Sequence, residues 1–467
     1  MLPLVHELNV PPWEAMRAIA DLPYPLFFDS AAEPSQLSRY SYLMADPVWF
    51  IRSKLGQVTI SGQSLPSSPP VANPLELLSD WLRSASGEIS AGLPPFQGGL
   101  AGLFSYDLVH HLERVPRHSV DEFQAPDLAV GCYDWVYAFD HQRQKGWIIA
   151  WGESGQRQAR LEFARNRLTR PPAPLERPMG NPLEVHEQFA TPLGSKITSN
   201  FSRADFVEAI RSAIAYVHAG DCFQVNIAQR LLFPQREHPL ELYGRLRELN
   251  PAPFCGYFDL GDFAIASASP ERFIRLDATG LVETRPIKGT RPRGKSPDED
   301  RRLAAELCES AKDRAENIMI VDLLRNDLGR VCAYGSVEVP GLCELESYPT
   351  VHHLVSTVRG RLRQEMSAFD LLLAAFPGGS VTGAPKIRAM EIIAELEPTS
   401  RGPYCGSLGW IGFDGAMDTS ILIRTFTIGK GWMQFPVGGG IVADSDPCLE
   451  YEETLHKAAG LLRAIDR

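Results

Sequence analysis

The sequence lacks an excess of positive charge. Its 46 lysine and arginine residues are outnumbered by 57 aspartate and glutamate residues, so the formal net charge is -11. A surface of this sign repels nucleic acid and anionic membranes, and we expect neither as a partner. A local basic cluster in such a chain is better suited to a small anion.

Paired cysteines and long hydrophobic runs are also missing. The eight cysteines form no CxxC pair and have no regular spacing, which predicts free thiols in a reducing compartment rather than a disulfide framework. No run of residues resembles a membrane-spanning helix, and the N-terminus has no cationic segment followed by an apolar one. We therefore expect a cytoplasmic protein.

Length and composition favour a few domains or one large unit. The chain has 467 residues, of which 44% are hydrophobic, enough for about three domains or for fewer if one large α/β unit is present. A polar segment at 171–200 contains six prolines and predicts a linker. It would separate an N-terminal region, residues 1–170, from a C-terminal region, residues 201–467.

Local patterns predict strands and helices along the chain. The predicted strands are 25–30, 48–51, 222–232, 263–276, 280–287 and 421–426. The predicted helices are 73–82, 203–219, 297–328 and the segment from Pro447 onward. The helix at 203–219 has clear ends, because Ser202 and Asp205 resemble a capping box and Gly220 stops it. The glycines of 98–107 lack the order of a dinucleotide fingerprint and indicate close strand packing.

One lysine has the surroundings of a nucleophile. Lys288 lies between Pro286, which restricts the backbone, and Gly289, which allows close approach to a ligand. Three arginines nearby favour a lowered lysine pKa, which a nucleophilic amine needs. If the two preceding strands form a hairpin, Glu271 faces Lys288 across it. The alternative is an ordinary surface lysine in a basic loop.

Two helical segments each present carboxylates on one face. Asp313 and Glu316 are three residues apart, and Glu450 and Glu453 repeat this spacing beside Lys457. Carboxylates from two helices could close on one Mg²⁺ ion, which an anionic substrate would complete. The alternative is a pair of solvated helix faces.

Further candidates lie between these helices. The segment 378–386 offers backbone amides and the Thr382 hydroxyl, which suit a carboxylate, while Pro385 argues against a nucleotide loop. Arg424 lies in an apolar segment, where a buried charge needs a partner of opposite charge. That partner is either a substrate anion or an acidic side chain in a buried ion pair. Glycines 438–440 either offer amides beside Arg424 or mark a tight strand crossing.

Six segments together carry a resemblance to a known family. They are Asp221 to Asn226, Ser269 to Phe273, Lys312 to Asn317, Asp322 to Asp327, Gly383 to Lys386 and Glu450 to Lys457. In content and order they resemble the chorismate-utilising enzymes, which include anthranilate, isochorismate, salicylate and aminodeoxychorismate synthases. The resemblance runs from about Trp13 to the C-terminus. It implies a large two-layer α/β (α+β) fold, in which two interleaved halves pack their sheets together and helices surround them.

The resemblance also implies a role for each candidate residue. The implied metal ligands, for Mg²⁺, are Glu316, Glu453, Glu450 and Asp313. The implied chorismate-binding residues are Arg424, Tyr404, Thr382, Gly440 and Lys457. The implied catalytic residues are Lys288, Glu271 and His353.

Lys288 distinguishes between branches of this family. By resemblance, its Pro-Ile-Lys-Gly-Thr segment is typical of the branch that forms 4-amino-4-deoxychorismate, whereas anthranilate synthases carry alanine in place of the lysine. Gln224 stands where the water-adding synthases have a general-base lysine. Neutral Lys288 is therefore expected to attack carbon 2 of chorismate while Glu271 protonates the departing hydroxyl. Ammonia then adds at carbon 4 and expels the lysine, without loss of pyruvate.

Partners follow from the same resemblance. The chain has no glutamine amidotransferase site, so we expect a heterodimer with a separate small subunit that releases ammonia from glutamine. Ser30, Pro253 and Phe254 match a tryptophan pocket of related enzymes, with Asp29 in place of their usual glutamate. The alternatives to an aminating enzyme are an anthranilate synthase component, a non-catalytic tryptophan-binding regulatory subunit and a nucleotide-binding protein.

Overall fold

The structure of the chain is a computed structural model. It describes residues 2–32, 35, 37–62, 73–85, 87–172, 174–175, 182–348 and 351–465. Residues 173 and 176–181 of the predicted linker lie outside this part of the chain, and the domain boundaries stay predictions.

Ten α-helices occur in the described residues. They are α1 (Pro12–Ile19), α2 (Pro74–Ser84), α3 (Ser154–Leu168), α4 (Arg203–Ala219), α5 (Pro239–Leu249), α6 (Pro297–Glu309), α7 (Ala311–Gly329), α8 (Ala368–Ala375), α9 (Lys386–Leu396) and α10 (Pro447–Ile465). Short 3₁₀ helices lie at Tyr106–His111 and Gly379–Val381. None of the described helices is long and apolar enough to cross a membrane.

The same residues form 24 strands. Those before residue 200 are β1 (Leu4–Glu7), β2 (Leu26–Asp29), β3 (Tyr40–Met44), β4 (Trp49–Lys54), β5 (Gln57–Gly62), β6 (Gly99–Phe104), β7 (Leu128–Tyr133), β8 (Trp135–Asp140), β9 (Lys145–Ala150), β10 (Phe189–Ala190) and β11 (Thr198–Ser199). The others are β12 (Gln224–Pro234), β13 (Phe254–Asp259), β14 (Phe263–Ser269), β15 (Arg272–Leu276), β16 (Leu281–Thr284), β17 (Ile287–Pro292), β18 (Glu338–Ser347), β19 (Val351–Arg361), β20 (Gly383–Ala384), β21 (Ser407–Gly412), β22 (Met417–Ser420), β23 (Thr425–Gly429) and β24 (Trp432–Ile441).

The strands form two large antiparallel sheets. The 13-stranded sheet has the order β1-β9-β8-β3-β2-β13-β14-β23-β24-β12-β11-β10, with β20 paired to β12. The 11-stranded sheet has the order β17-β19-β16-β15-β22-β21-β6-β7-β4-β5, with β18 paired to β19. Each sheet combines strands from early and late parts of the chain. The prediction of an α/β fold with two interleaved halves is therefore confirmed.

The sheets pack face to face with helices outside them. Leu26 and Ile265 of the first sheet meet Leu103 and Leu408 of the second in one apolar cluster. Helices α1, α3, α5 and α10 cover the outer face of the first sheet, and α2, α7 and α8 cover that of the second. Burial of apolar side chains in these layers is the main term that stabilises the fold.

The predicted ends of one helix are confirmed. The Ser202 side chain accepts a hydrogen bond from the Asp205 amide at 3.1 Å, and α4 ends before Gly220, which has a φ of 82°. These contacts satisfy amides and carbonyls that a helix end leaves without partners.

Two predicted strands are wrong, and both errors fall where the chain changes sheets. The segment 263–276 is two strands, because the chain leaves the first sheet after β14 and enters the second at β15, with Glu271 at the crossing. The segment 421–426 is mostly a connection in the reverse direction, from β22 to β23, and Arg424 in it has a φ of 51°. Hydrophobic pattern marks burial and does not show which sheet buries a residue.

The single helix predicted at 297–328 is also wrong. It is two helices, α6 and α7, separated at Ser310. The Ser310 side chain accepts a hydrogen bond from the Asp313 amide at 3.2 Å and so caps the start of α7. Serine is favoured at this capping position, whereas it is less favourable inside a continuous helix.

Candidate active site

The two sheet crossings lie side by side and carry predicted site residues. The Ile421 amide of one crossing donates to the Glu271 carbonyl of the other at 3.0 Å. A third segment, residues 376–385, lies against them and is called the Ser380 loop below. These segments place Glu271, Arg424 and Ser380 at the junction of the two sheets.

Ser380 connects the two residues predicted to do the chemistry. Its hydroxyl donates to Glu271 Oε1 at 2.9 Å, and its carbonyl accepts from Lys288 Nζ at 3.2 Å. The predicted hairpin with a turn at 277–280 is present as β15 and β16, but it does not extend to Glu271 and Lys288, because Glu271 precedes β15 and Lys288 lies in β17, which pairs with β19. The two side chains meet through the Ser380 loop.

Burial moves the pKa values of this pair in opposite directions. It raises the pKa of Glu271 to about 7, although Ser380 and Lys288 oppose the rise. It lowers the pKa of Lys288, against the effect of Glu316 and Glu271. A protonated acid and a neutral amine are both favoured by these surroundings, which is what an acid and a nucleophile need.

One predicted acidic residue from each of α7 and α10, Glu316 and Glu453, lies near the lysine. Lys288 lowers the pKa of both Glu316 and Glu453, while burial and the Glu453 charge raise the pKa of Glu316. Burial and Glu453 likewise raise the pKa of Glu450. The carboxylates therefore lie near enough to repel one another.

Basic side chains contact these carboxylates. The ion pairs are Lys457 with Glu453 (2.7 Å), Lys312 with Glu450 (4.0 Å) and Arg291 with Asp313 (3.1 Å). In the described part of the chain, no three His, Cys, Asp or Glu side chains are grouped closely enough to hold a metal ion. A set of mutually repelling carboxylate oxygens nevertheless fits Mg²⁺ in donor chemistry and in charge.

His353 and Arg424 lie near each other. The Thr290 hydroxyl and His353 Nδ1 are 2.8 Å apart, and burial together with Arg424 lowers the pKa of His353 to about 4. The imidazole is therefore neutral near pH 7. Across the described residues, the Arg424 side chain makes no ion pair or hydrogen bond, so the buried-ion-pair alternative is not what the structure shows. Arg424 is exposed as a whole residue, yet burial lowers the pKa of its guanidinium. A guanidinium without an acidic partner among the described residues is suited to a carboxylate.

The remaining predicted substrate-binding residues are less closely grouped. The Thr382 hydroxyl donates to the Gly378 carbonyl at 3.0 Å, within its own loop. Lys457 donates to the Gly438 carbonyl at 2.9 Å. Tyr404 is buried beside Arg401, and no hydrogen bond joins it to Arg424 in the described residues.

The glycines of β24 face polar groups of the site. A Cβ on Gly440 would lie 2.5 Å from Gln224 Nε2, and one on Gly439 would lie 3.1 Å from Glu450 Oε2. Side chains at these positions would displace Gln224 or Glu450. Gln224 is fully buried, and its amide atoms have no hydrogen-bond partner among the described residues.

Sequence reasoning missed Ser380 and Lys312. Ser380 lies inside the segment 378–386, for which the sequence predicts anion binding by backbone amides and the Thr382 hydroxyl. The signal that could have found it is a hydroxyl side chain in the middle of a glycine-rich turn, which suits contact with another part of the chain. Lys312 directly precedes Asp313 in one of the segments that carry the resemblance, and the sequence alone predicts no role for it.

A separate cavity of about 370 Å³ lies between the sheets and brings Ser30, Pro253 and Phe254 together. Arg275 and Asp414 also line it. Asp414 Oδ2 is buried and has no hydrogen-bond partner among the described residues. The site thus combines apolar walls with a carboxylate and a guanidinium. Asp29 lies at its edge but is paired to Arg247 at 2.6 Å.

Comparison with known proteins gives consistent matches. A family model described as chorismate binding enzyme matches residues 39–463. Aminodeoxychorismate synthase component 1 of Salmonella typhimurium is 42% identical over 95% of this chain and 94% of its own. Anthranilate synthase component 1 of Thermus thermophilus is 43% identical over 94% and 92%. The crystal structure of anthranilate synthase component I from Streptococcus pneumoniae has a TM-score of 0.75 at 32% identity, covering 92% of this chain and 93% of that one.

Proposed function

Because the chain belongs to the chorismate-binding enzyme family, we propose that it converts chorismate and ammonia into 4-amino-4-deoxychorismate, the precursor of p-aminobenzoate in folate biosynthesis. Overall sequence identity does not distinguish this reaction from anthranilate synthesis, since relatives named for the two activities are nearly equally identical to this chain. The observation that carries the proposal is Lys288, whose amine lies beside Glu271, Glu316 and Glu453 with its pKa lowered by burial.

The proposed chemistry uses the acid and the amine together. Neutral Lys288 Nζ forms a bond to carbon 2 of chorismate, both ring double bonds shift, and the carbon 4 hydroxyl leaves as water with the proton of Glu271. The attached nitrogen returns a proton to the Glu271 carboxylate. Ammonia then bonds to carbon 4 and loses a proton, both double bonds shift back, and the bond between carbon 2 and Lys288 breaks as the lysine nitrogen regains a proton. The pyruvyl ether is not cleaved.

Other residues of the site would hold the substrate. Arg424, whose guanidinium has no partner among the described residues, would bind the pyruvyl carboxylate, while neutral His353 would orient the ring by hydrogen bonding. Tyr404, Thr382 and Gly440 are proposed to assist them. Glu316, Glu453, Glu450 and Asp313 would hold Mg²⁺, which when bound supplies positive charge for the ring carboxylate beside Lys457.

Two ligands are proposed beyond chorismate. Curated relatives are named as component 1 of an aminodeoxychorismate synthase, which supports a second component that supplies ammonia from glutamine. The cavity at Ser30, Pro253 and Phe254 supports tryptophan as a bound amino acid, because apolar walls would take the indole while Arg275 and Asp414 take the charged ends.

Anthranilate synthesis is the second candidate, since the Thermus relative named for it is 43% identical. It differs by losing pyruvate. Incubation of the purified chain with chorismate, a magnesium salt and an ammonium salt decides between them by mass spectrometry. An aminated product that keeps its pyruvyl group supports the proposal, and anthranilate with free pyruvate would replace it.

A further inference from the structure

The Ser380 loop is held by residues that have no role in the chemistry described above. It contains only a three-residue 3₁₀ helix and the two-residue strand β20. Few of its contacts are therefore those of regular secondary structure. Its position determines where Ser380 meets Glu271 and Lys288, so whatever fixes the loop also fixes that pair.

Arg401 binds the middle of the loop from behind. Its guanidinium donates to both carboxylate oxygens of Glu397, at 2.9 and 2.5 Å, and their side chains are only 2% and 3% exposed. The same guanidinium donates to the Val381 carbonyl at 3.0 Å and to the Asn226 carbonyl at 2.8 Å. Glu397 also accepts from the Ala228 amide at 2.9 Å. This pair therefore ties the residue after Ser380 to strand β12.

Lys386 joins the two ends of the loop. Its ammonium donates to the carbonyl of Ala375, the residue just before the loop, at 2.5 Å, and to Asp327 Oδ2 at 2.7 Å. Lys386 itself directly follows the loop, and Asp327 lies on α7, the helix that carries Glu316. The lysine that superficially suggests a phosphate loop in the sequence thus closes the loop on its own backbone.

Buried ion pairs contribute little to stability, because removing two charges from water opposes their attraction. Two such pairs contact one short loop, which indicates that they fix where the loop lies rather than stabilise the fold. We propose that Arg401 and Lys386 are positioning residues, which fix the Ser380 loop so that Ser380 holds Glu271 and Lys288 together. The kinetic test of this proposal rests on the proposed function. A second test, the reactivity of the Lys288 amine, does not depend on it.

Arg401→Lys is the sharpest change. Lysine keeps the charge beside Glu397 but lacks the planar fork that also reaches Val381 and Asn226. We expect kcat for ammonium-dependent conversion of chorismate to fall about tenfold or more, with a much smaller change in KM. A small displacement of the reacting groups raises the activation barrier of the chemical step. The alkaline limb of the pH profile should shift as well, because Glu271 depends on Ser380.

The matched control is Arg230→Lys. Arg230 and Glu122 form a similar pair, 2.6 Å long with exposures of 6% and 14%, on another part of β12. If Arg401→Lys and Arg230→Lys give the same kcat and the same pH profile, the loop is not positioned by Arg401 and the proposal is overturned.

A double variant covers the case in which Arg401→Lys does not fold. Lys386→Met with Asp327→Asn removes one buried pair without leaving an unpaired charge. The same fall in kcat is expected from it, and a wild-type kcat would contradict the proposal for Lys386.

A second readout does not need turnover. Acylation of Lys288 by an amine reagent, followed by peptide mass spectrometry across pH, reports the pKa of its amine. In Arg401→Lys the midpoint should move to lower pH, because the ammonium form loses the Ser380 carbonyl. An unchanged midpoint overturns the proposal even if chorismate turns out to be converted by another reaction.

Discussion

Glu271 and Lys288 are joined through one residue, since the Ser380 hydroxyl donates to Glu271 and the Ser380 carbonyl accepts from Lys288. Burial raises the pKa of the acid to about 7 and lowers that of the amine. The two pKa values are thereby brought toward each other. Both shifts favour the protonated acid and the neutral amine that the proposed reaction requires.

Replacing Glu271 by Gln should lower kcat by about 10²-fold or more, because the hydroxyl of chorismate loses its proton donor. In the wild type, activity should fall as pH rises through about 7, where Glu271 ionises. The raised pKa also means that Glu271 stabilises the fold below 4.5, and that this contribution is lost as pH rises toward 7. Thermal unfolding at pH 5 and 8 checks this: Glu271→Gln should lose less stability across the interval than the wild type.

Ser380→Ala should raise the pKa of Glu271 by about one unit, since a hydrogen bond to the ionised carboxylate is removed. The alkaline limb of the rate profile would move to higher pH by the same amount. Because Lys288 contacts the backbone of Ser380, its own contact is kept. Ser445→Ala, which removes a hydroxyl bonded to Glu450 instead, is the control, and an identical alkaline limb in all three proteins would contradict the assignment.

Glu316→Gln should weaken the activation by Mg²⁺ at least about tenfold, as expected when one carboxylate ligand is lost. Titration of the rate with magnesium after treatment with a chelator measures this. Glu452→Gln is the control on α10, because Glu452 is exposed and its one ion pair within the described part of the chain is with Arg203, 3.8 Å away. Equal magnesium dependence in the two variants would remove Glu316 from the proposed site.

Denatured protein should release about one tryptophan per chain, detected by mass spectrometry. Asp414→Asn should bind it at least about tenfold more weakly, since Asp414 Oδ2 is the buried oxygen available to an ammonium group. Asp277→Asn is the control, because that carboxylate lines the same cavity but already accepts from Thr279. Protein that releases no tryptophan and does not bind it when added would show that the cavity has another role.

Elements whose ends are defined by local chemistry could be predicted from the sequence. Ser202 and Gly220 bound α4 as expected, and the spacing of Glu450 and Glu453 places the two carboxylates near each other, with Glu453 near Lys288. Both capping and helical spacing depend on residues a few positions apart.

The sheet crossings could not be predicted in this way. Glu271 lies where the chain passes between sheets, and Pro270 is the local signal of a break between β14 and β15. A proline does not show that the strands on its two sides belong to different sheets. The contact of Ser380 with Glu271 joins residues 109 positions apart. The roles of Arg401 and Lys386 could not be predicted for the same reason, because the contacts by which they hold the loop are to backbone carbonyls, which the sequence does not display.

The covalent role of Lys288 is tested most directly by Lys288→Ala, with Lys295→Ala in the same basic segment as the control. Chorismate binding in the presence of magnesium should be kept in both, whereas ammonium-dependent conversion should fall about 10²-fold or more only in Lys288→Ala. In wild-type protein given chorismate and magnesium without ammonia, peptide mass spectrometry should find Lys288 carrying chorismate less one water. Conversion at the wild-type rate by Lys288→Ala would contradict the account.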